Sequence, residues 1–97
     1  MITLEDLRGK YKPQILELAK KYGVTDIRVF GSVARGDARE DSDVDFLVRR
    51  VKNSDAWGIG GFYVEASKLL GHTVDVTTDG GLSKYIKENV LREARPL

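Results

Sequence analysis

The stretch Phe30-Gly31-Ser32-Val33-Ala34-Arg35-Gly36, resumed after a short polar loop by Ser42-Asp43-Val44-Asp45-Phe46-Leu47-Val48, decides how the rest of this chain is read. Asp26 to Phe30 reads as a strand closed by Gly31-Ser32, and Val33-Ala34-Arg35 as a short helical turn. Gly36 to Asp41 is polar and loop-like, and Ser42 to Val51 reads as a second strand. Period-two alternation puts Val44, Phe46 and Val48 on one face of that strand and Asp43, Asp45 and Leu47 on the other.

Two carboxylates on one strand face repel. At roughly 4 Å and an effective dielectric near 20 the cost is about 4 kcal/mol, so a cation must neutralise them or one must protonate. Hard oxygen donors with few other ligands nearby favour Mg²⁺ or Mn²⁺. Taken alone, such a pair is more often a solvent-facing strand side, or an edge charged against aggregation. Gly31-Ser32 stands at a strand end before a helix, where backbone N–H groups point outward and a phosphate fits. On its own it reads more readily as a turn residue followed by an N-cap. Asp75 is the third acid, set between Val74 and Val76 in a further strand. Aspartate is depleted from strands and costly to bury unpaired. If that strand lies beside the second one, Asp75 joins Asp43 and Asp45; otherwise it is a surface position. Together the three acids and the strand-end turn compose a two-metal phosphoryl-transfer site, in which ions about 3.5–4 Å apart clamp the attacking and leaving oxygens.

Working outward, Leu4, Leu7, Tyr11, Ile15, Leu18 and Tyr22 recur at steps of three and four, one face of an amphipathic helix. Thr3 is its N-cap, Gly23 its stop, and Pro13 predicts either a kink or two helical pieces. Downstream, Asp55 to Leu70 reads as a helix, weakened in its first half by Gly58, Gly60 and Gly61 at up to about 1 kcal/mol each, and ended by Gly71. His72 to Thr77 is a third strand, Asp79-Gly80-Gly81 a turn, and Ser83 to Arg92 a last helix with Tyr85, Ile86, Val90 and Leu91 as its apolar positions. The order helix, strand, strand, helix, strand, helix argues for an α/β or α+β domain.

At 97 residues the chain is expected to form one domain, residues 1–97. One core fits in that length, but not a second lobe to clasp a large substrate, so the acceptor must be held by something else. Lys and Arg number 16 and Asp and Glu 15, a net charge of +1 that lacks the basic stripe of a nucleic-acid binder. With no Cys there are no disulfides or thiolate metal sites, and a single His makes a His-rich zinc site unworkable. The acidic start Met1-Ile2-Thr3-Leu4-Glu5-Asp6 does not resemble a signal peptide. No apolar run approaches the roughly 20 residues of a membrane span. The expectation is a cytoplasmic protein that engages neither membrane nor nucleic acid.

Gly31-Ser32, ten residues, then Asp43-x-Asp45 resembles the signature of the DNA polymerase beta-like nucleotidyltransferase superfamily. The fuller string, Val-Phe-Gly-Ser-Val-Ala-Arg-Gly followed by Ser-Asp-Val-Asp-Phe-Leu-Val, is similar to its smallest members, the minimal nucleotidyltransferases. Gly71-His72-Thr73-Val74-Asp75-Val76 resembles the stretch that bears the family's third carboxylate, and the likeness runs on to Leu91-Arg92-Glu93-Ala94. The resemblance implies a small mixed β-sheet packed with helices on one side and the active site on the other. It implies two Mg²⁺ ions held by Asp43, Asp45 and Asp75, with Asp75 on the metal that activates the acceptor hydroxyl. It implies that Gly31 and Ser32 hold the triphosphate, with ATP as substrate. Many minimal nucleotidyltransferases are antitoxins that transfer AMP to a tyrosine of a HEPN-domain toxin, so the resemblance implies a protein partner of that kind. Two other functions stay open: transfer to a small-molecule hydroxyl, and a non-catalytic antitoxin that binds its toxin by contact alone.

The remaining notable residues have plainer readings. Arg35 can contact phosphate, but pairing with Asp37 or Asp41 is the cheaper role. Arg49, Arg50 and Lys52 read as a solvated charge run, although period two aims Arg49 at the acidic face. His72 reads as a hydrogen-bonded surface residue. Trp57, Phe62 and Tyr63 read as core or an interface patch, and Tyr85 as packing for the last helix.

Overall fold

A computed structural model describes residues 1–52 and 57–97. The first helical pattern divides into α1 (Leu4–Arg8) and α2 (Lys12–Tyr22). Thr3 caps α1 reciprocally: the Asp6 N–H donates to the Thr3 hydroxyl at 3.0 Å and the Thr3 N–H to the Asp6 carboxylate at 3.1 Å. Pro13 sits in the first turn of α2, where its missing N–H costs nothing, so the sequence resolves into two pieces rather than a kink. Gly23 ends α2 in the left-handed region.

Four strands follow: β1 (Val24–Phe30), β2 (Val44–Arg50), β3 (Val74–Thr78) and β4 (Arg95–Pro96), in the sheet order β3-β2-β1-β4. The β1–β2 and β1–β4 pairs are antiparallel and β2–β3 is parallel, which makes the sheet mixed as expected. A parallel neighbour requires a crossover, and α4 (Gly58–Leu70) provides it. Between β1 and β2 lies α3 (Gly31–Arg35), and α5 (Lys84–Glu93) leads into β4.

Val29, Val44, Phe46, Val48 and Val74 line one sheet face and pack with Leu7, Ile15 and Ala19 of α1 and α2 and with Phe62, Ala66 and Leu70 of α4. Phe46 and Phe62 meet edge to face at 6.0 Å, both fully buried. Burial of each such ring contributes about 1.5–3 kcal/mol. The glycines of α4 have a packing reason that the helix pattern conceals. A Cβ on Gly58 would collide with the Tyr22 carbonyl, and one on Gly61 with the Tyr22 ring. Their absence lets α4 press against the end of α2.

Several boundaries differ from the sequence reading. β1 starts at Val24 and carries a bulge between Thr25 and Arg28, with Asp26 at φ 52°. Asp43 precedes β2 instead of lying within it. The expected helix start at Asp55 lies outside the described residues. β4 was not anticipated: a two-residue strand with proline carries no alternation to read. The Arg8 guanidinium donates two hydrogen bonds to the Pro96 carbonyl, and the Leu97 N–H donates to the Ile27 carbonyl, which hold the segment in place. Tyr85 does not pack the last helix: it is 84% exposed, because only Val90 of α5 turns inward. Of the three aromatics expected in a core or patch, Phe62 is core, whereas Trp57 and Tyr63 lie at the surface.

Candidate active site

Asp45 is the centre of the site. Across the antiparallel pair it faces Phe30, the last residue of β1, and across the parallel pair it faces Asp75. The chain turns at Gly31 directly beside it. Gly31 adopts φ +74°, and a Cβ there would strike the Asp45 carboxylate, so the position demands glycine on two separate grounds. Ser32 follows in the first turn of α3, which ends at Gly36 with φ +84°. The Gly36 and Asp37 N–H groups both donate to the Ser32 carbonyl and close the turn.

Asp43 stands two residues before Asp45 and is exposed. Its lead into β2 is ordered: the Val44 N–H donates to the Thr73 carbonyl at 3.0 Å, and the Arg39 N–H to the Ser42 hydroxyl at 2.8 Å. Asp75 is exposed on β3, an edge strand of the sheet. Asp45 is half-buried, and Leu47, two residues further along the same face, is fully buried. Burial first, then the charges of Asp75, Asp43 and Glu93, push the Asp45 carboxyl up to about 6, against a smaller opposing pull from Arg35. Asp43 and Asp75 therefore both act electrostatically on Asp45, and the Gly31-Ser32 turn adjoins Asp45. Among the described residues no three of His, Cys, Asp and Glu already converge into a metal cage.

Arg35 takes the structural role and more. It pairs with Asp37 at 3.2 Å, not with Asp41, and with Glu93 at 2.6 Å. Glu93 was missed. Its other carboxylate oxygen accepts the Gly31 N–H at 2.9 Å. Arg35 and the Gly31 N–H hold the Glu93 carboxyl below the usual range against the opposing effect of burial. No local pattern links residues 62 apart in sequence. The one available signal was an acid in the last turn of a helix, where the dipole disfavours it. Arg49 lies at the other end of the sheet, in a cluster with Asp26, Arg28 and Asp79.

A mixed sheet of this order, backed by helices and turning through glycine beside its central acid, has the architecture of a nucleotidyltransferase. The chain belongs to the nucleotidyltransferase domain family, whose model matches residues 12–97. It is 40% identical over 95 residues to the protein adenylyltransferase MntA of Thermococcus cleftensis, covering 96% of this chain and 94% of that one. A solved structure provisionally assigned as a minimal nucleotidyltransferase superposes with a TM-score of 0.83 at 42% identity, covering 99% of this chain and 97% of the other. A toxin–antitoxin structure with AMP-PNP shares the fold at a TM-score of 0.71 and 20% identity, over 88% of this chain and 70% of that one. No helix among the described residues is long and apolar enough to cross a membrane.

Proposed function

We propose that this nucleotidyltransferase transfers AMP from ATP, with Mg²⁺, to a hydroxyl of a partner protein, and that it serves as the antitoxin of a HEPN-type toxin. Residues 1–97 act as one such domain, in the cytoplasm. The observation that carries the reading is the register of Asp45 against Asp75 with the Gly31 turn at its side. The names of the relatives support the rest: a protein adenylyltransferase at 40% identity, and a toxin–antitoxin complex with an ATP analogue among proteins of the same fold.

The donor set fits two Mg²⁺ ions. Its ligands are hard carboxylate oxygens, and burial first, then the neighbouring acids, raise the Asp45 carboxyl, a cost that divalent charge would relieve. When bound, the ions neutralise charge on the phosphates and on the acceptor oxygen. Asp43, Asp45 and Asp75 would hold them, and the Gly31-Ser32 turn would seat the triphosphate. Asp75 lies exposed on an edge strand, so that flank is open to an acceptor hydroxyl, whose proton Asp75 helps to take. The partner supplies the hydroxyl in the right geometry, which is worth several kcal/mol of barrier.

Thermal unfolding with and without ATP and Mg²⁺ is the test, with Asp45→Asn as control. A ligand at about 100 times its dissociation constant stabilises the fold by about 2.7 kcal/mol, a shift of roughly 10–20 °C for a domain of this size. A Mg²⁺-dependent shift that the variant lacks supports the reading. Labelling of a co-expressed toxin by ATP radiolabelled on its α-phosphate then tests the acceptor. No shift in the folded native protein sinks the nucleotide reading.

A further inference from the structure

We infer that Glu93 is a positioning residue of the nucleotide site, holding the Gly31 turn and the Arg35 side chain in place beside Asp45. The inference rests on the nucleotide reading above and adds to it a residue from the far end of the chain.

Both oxygens of the Glu93 carboxylate are engaged, each by a different part of the turn. One accepts the Gly31 N–H at 2.9 Å and the other accepts from Arg35 Nη1 at 2.6 Å. These groups bracket α3, since Gly31 opens it and Arg35 closes it. Gly31 is in turn so close to Asp45 that a methyl group does not fit between them. Any movement of the Gly31 peptide therefore moves the triphosphate seat relative to the central carboxylate. Charge-assisted hydrogen bonds of this kind are roughly twice as strong as neutral ones, and a two-point hold fixes orientation as well as position.

The support is itself anchored. Glu93 is the last residue of α5 and the chain passes directly into β4, which pairs with β1 opposite Arg28 and Val29. Arg8 of α1 clamps β4 from outside through the Pro96 carbonyl. An acid in the last turn of a helix opposes the helix dipole, and here two donors from α3 compensate it. Arg35 also keeps the fourth acid near Asp45 from adding its full charge to the repulsion there. Glu93 acts through Gly31 and Arg35, without a direct role in the transfer.

Three variants test this: Glu93→Ala, Glu93→Gln and Val90→Ala. Glutamine keeps one acceptor oxygen, for Gly31 or for Arg35 but not for each through its own oxygen, and alanine keeps none. Val90 is the buried residue of the same helix and serves as a control for general loosening of α5. The dissociation constant for ATP in Mg²⁺ and the exchange rate of the Gly31 amide hydrogen are measured for each. Glu93→Ala is expected to weaken ATP binding about tenfold and to speed Gly31 exchange by a similar factor. Glu93→Gln should fall between native and Glu93→Ala on both, and Val90→Ala should lower the unfolding midpoint without moving the dissociation constant. Native binding with Glu93→Ala equal to or tighter than native overturns the inference and leaves the nucleotide reading intact; a tighter value would make Glu93 a competitor of the triphosphate. Unchanged Gly31 exchange in Glu93→Ala also overturns it. A native protein that binds no ATP in Mg²⁺ overturns the nucleotide reading itself, and with it this role.

Discussion

Asp45 and Asp75 are register partners across the parallel β2–β3 pair, so both side chains leave the same face of the sheet on strands about 4.8 Å apart. Their closeness is a property of register. A one-residue slip of β3 would turn Asp75 to the helical side, where Val74 and Val76 now pack. The apolar neighbours that make Asp75 look out of place in its strand are what hold it on the acid face.

The pH dependence of stability follows from Asp45. Its carboxyl sits at about 6 in the folded chain against an ordinary 3.8. The folded state thus holds the proton more tightly than the unfolded state. This contribution to stability is fully present below about pH 4 and is lost as pH rises through about 6. In the absence of divalent ions, Asp45→Asn should be more stable than native at about pH 8, with the difference closing near pH 4. Urea unfolding at the two pH values decides it, and a variant less stable at both would refute the account.

Gly31→Ala and Gly36→Ala separate backbone strain from collision. Both positions have positive φ, so both variants should lose about 1–2 kcal/mol. Among the described residues a Cβ on Gly36 meets nothing within 4 Å, whereas one on Gly31 strikes Asp45. Gly31→Ala should therefore also lose Mg²⁺-dependent ATP binding, and Gly36→Ala should keep most of it. Denaturant curves paired with nucleotide titrations measure the two effects, and equal loss of binding in both would contradict the prediction.

Within α4 the same substitution should change sign over two residues. In Gly60→Ala the new Cβ meets nothing within 4 Å among the described residues and the helix gains propensity, a stabilisation of up to about 1 kcal/mol. Gly58→Ala drives a methyl group into the Tyr22 carbonyl and should destabilise by about 1–3 kcal/mol, the range for overpacking. Thermal unfolding of the two single variants is sufficient, and stabilisation by Gly58→Ala would mean that α4 does not press on α2 as described.

Asp79 binds two arginines, Arg28 at 2.6 Å and Arg49 at 3.3 Å. Burial works to raise its carboxyl, but the hydrogen bonds and charges of Arg28 and Arg49 together hold it below the ordinary value. A depressed folded pKa stabilises above the unfolded value of 3.8, and that stability is lost as pH falls through the folded one. Asp79→Asn should cost about 1–3 kcal/mol near neutral pH, because the Arg28 side chain is largely buried and its Nε has no hydrogen-bond partner among the described residues. The cost should shrink in acid. A constant cost from neutral pH to about pH 2 would argue against the pairing.

Much of the architecture was legible because it was periodic. Leu7, Ile15 and Leu18 follow a helical period, and Val44, Phe46 and Val48 follow a strand, and burial of one face leaves little choice in either case. The breaks were legible for a related reason: Pro13, Gly23 and Gly71 restrict or free the backbone by their own chemistry. β4 and the exposed Tyr85 were not legible. A two-residue strand has no period, and whether a helix's apolar position finds a neighbour depends on elements distant in sequence.

The candidate site divides along the same line. Gly31, Ser32, Asp43 and Asp45 lie within fifteen residues, close enough to be read as one motif, although Asp43 stands just before β2 and outside its strand period. The sequence by itself determined the helix and strand faces, the stops, and the motif of a nucleotidyltransferase, because each depends on local sterics and on which side chains avoid water. Only the tertiary structure decided that β3 runs parallel to β2 in the register that sets Asp75 beside Asp45, and that Glu93 reaches Gly31 and Arg35 from 62 and 58 residues away. Contacts between distant segments are selected by packing the whole core at once, and no short stretch of sequence carries that information.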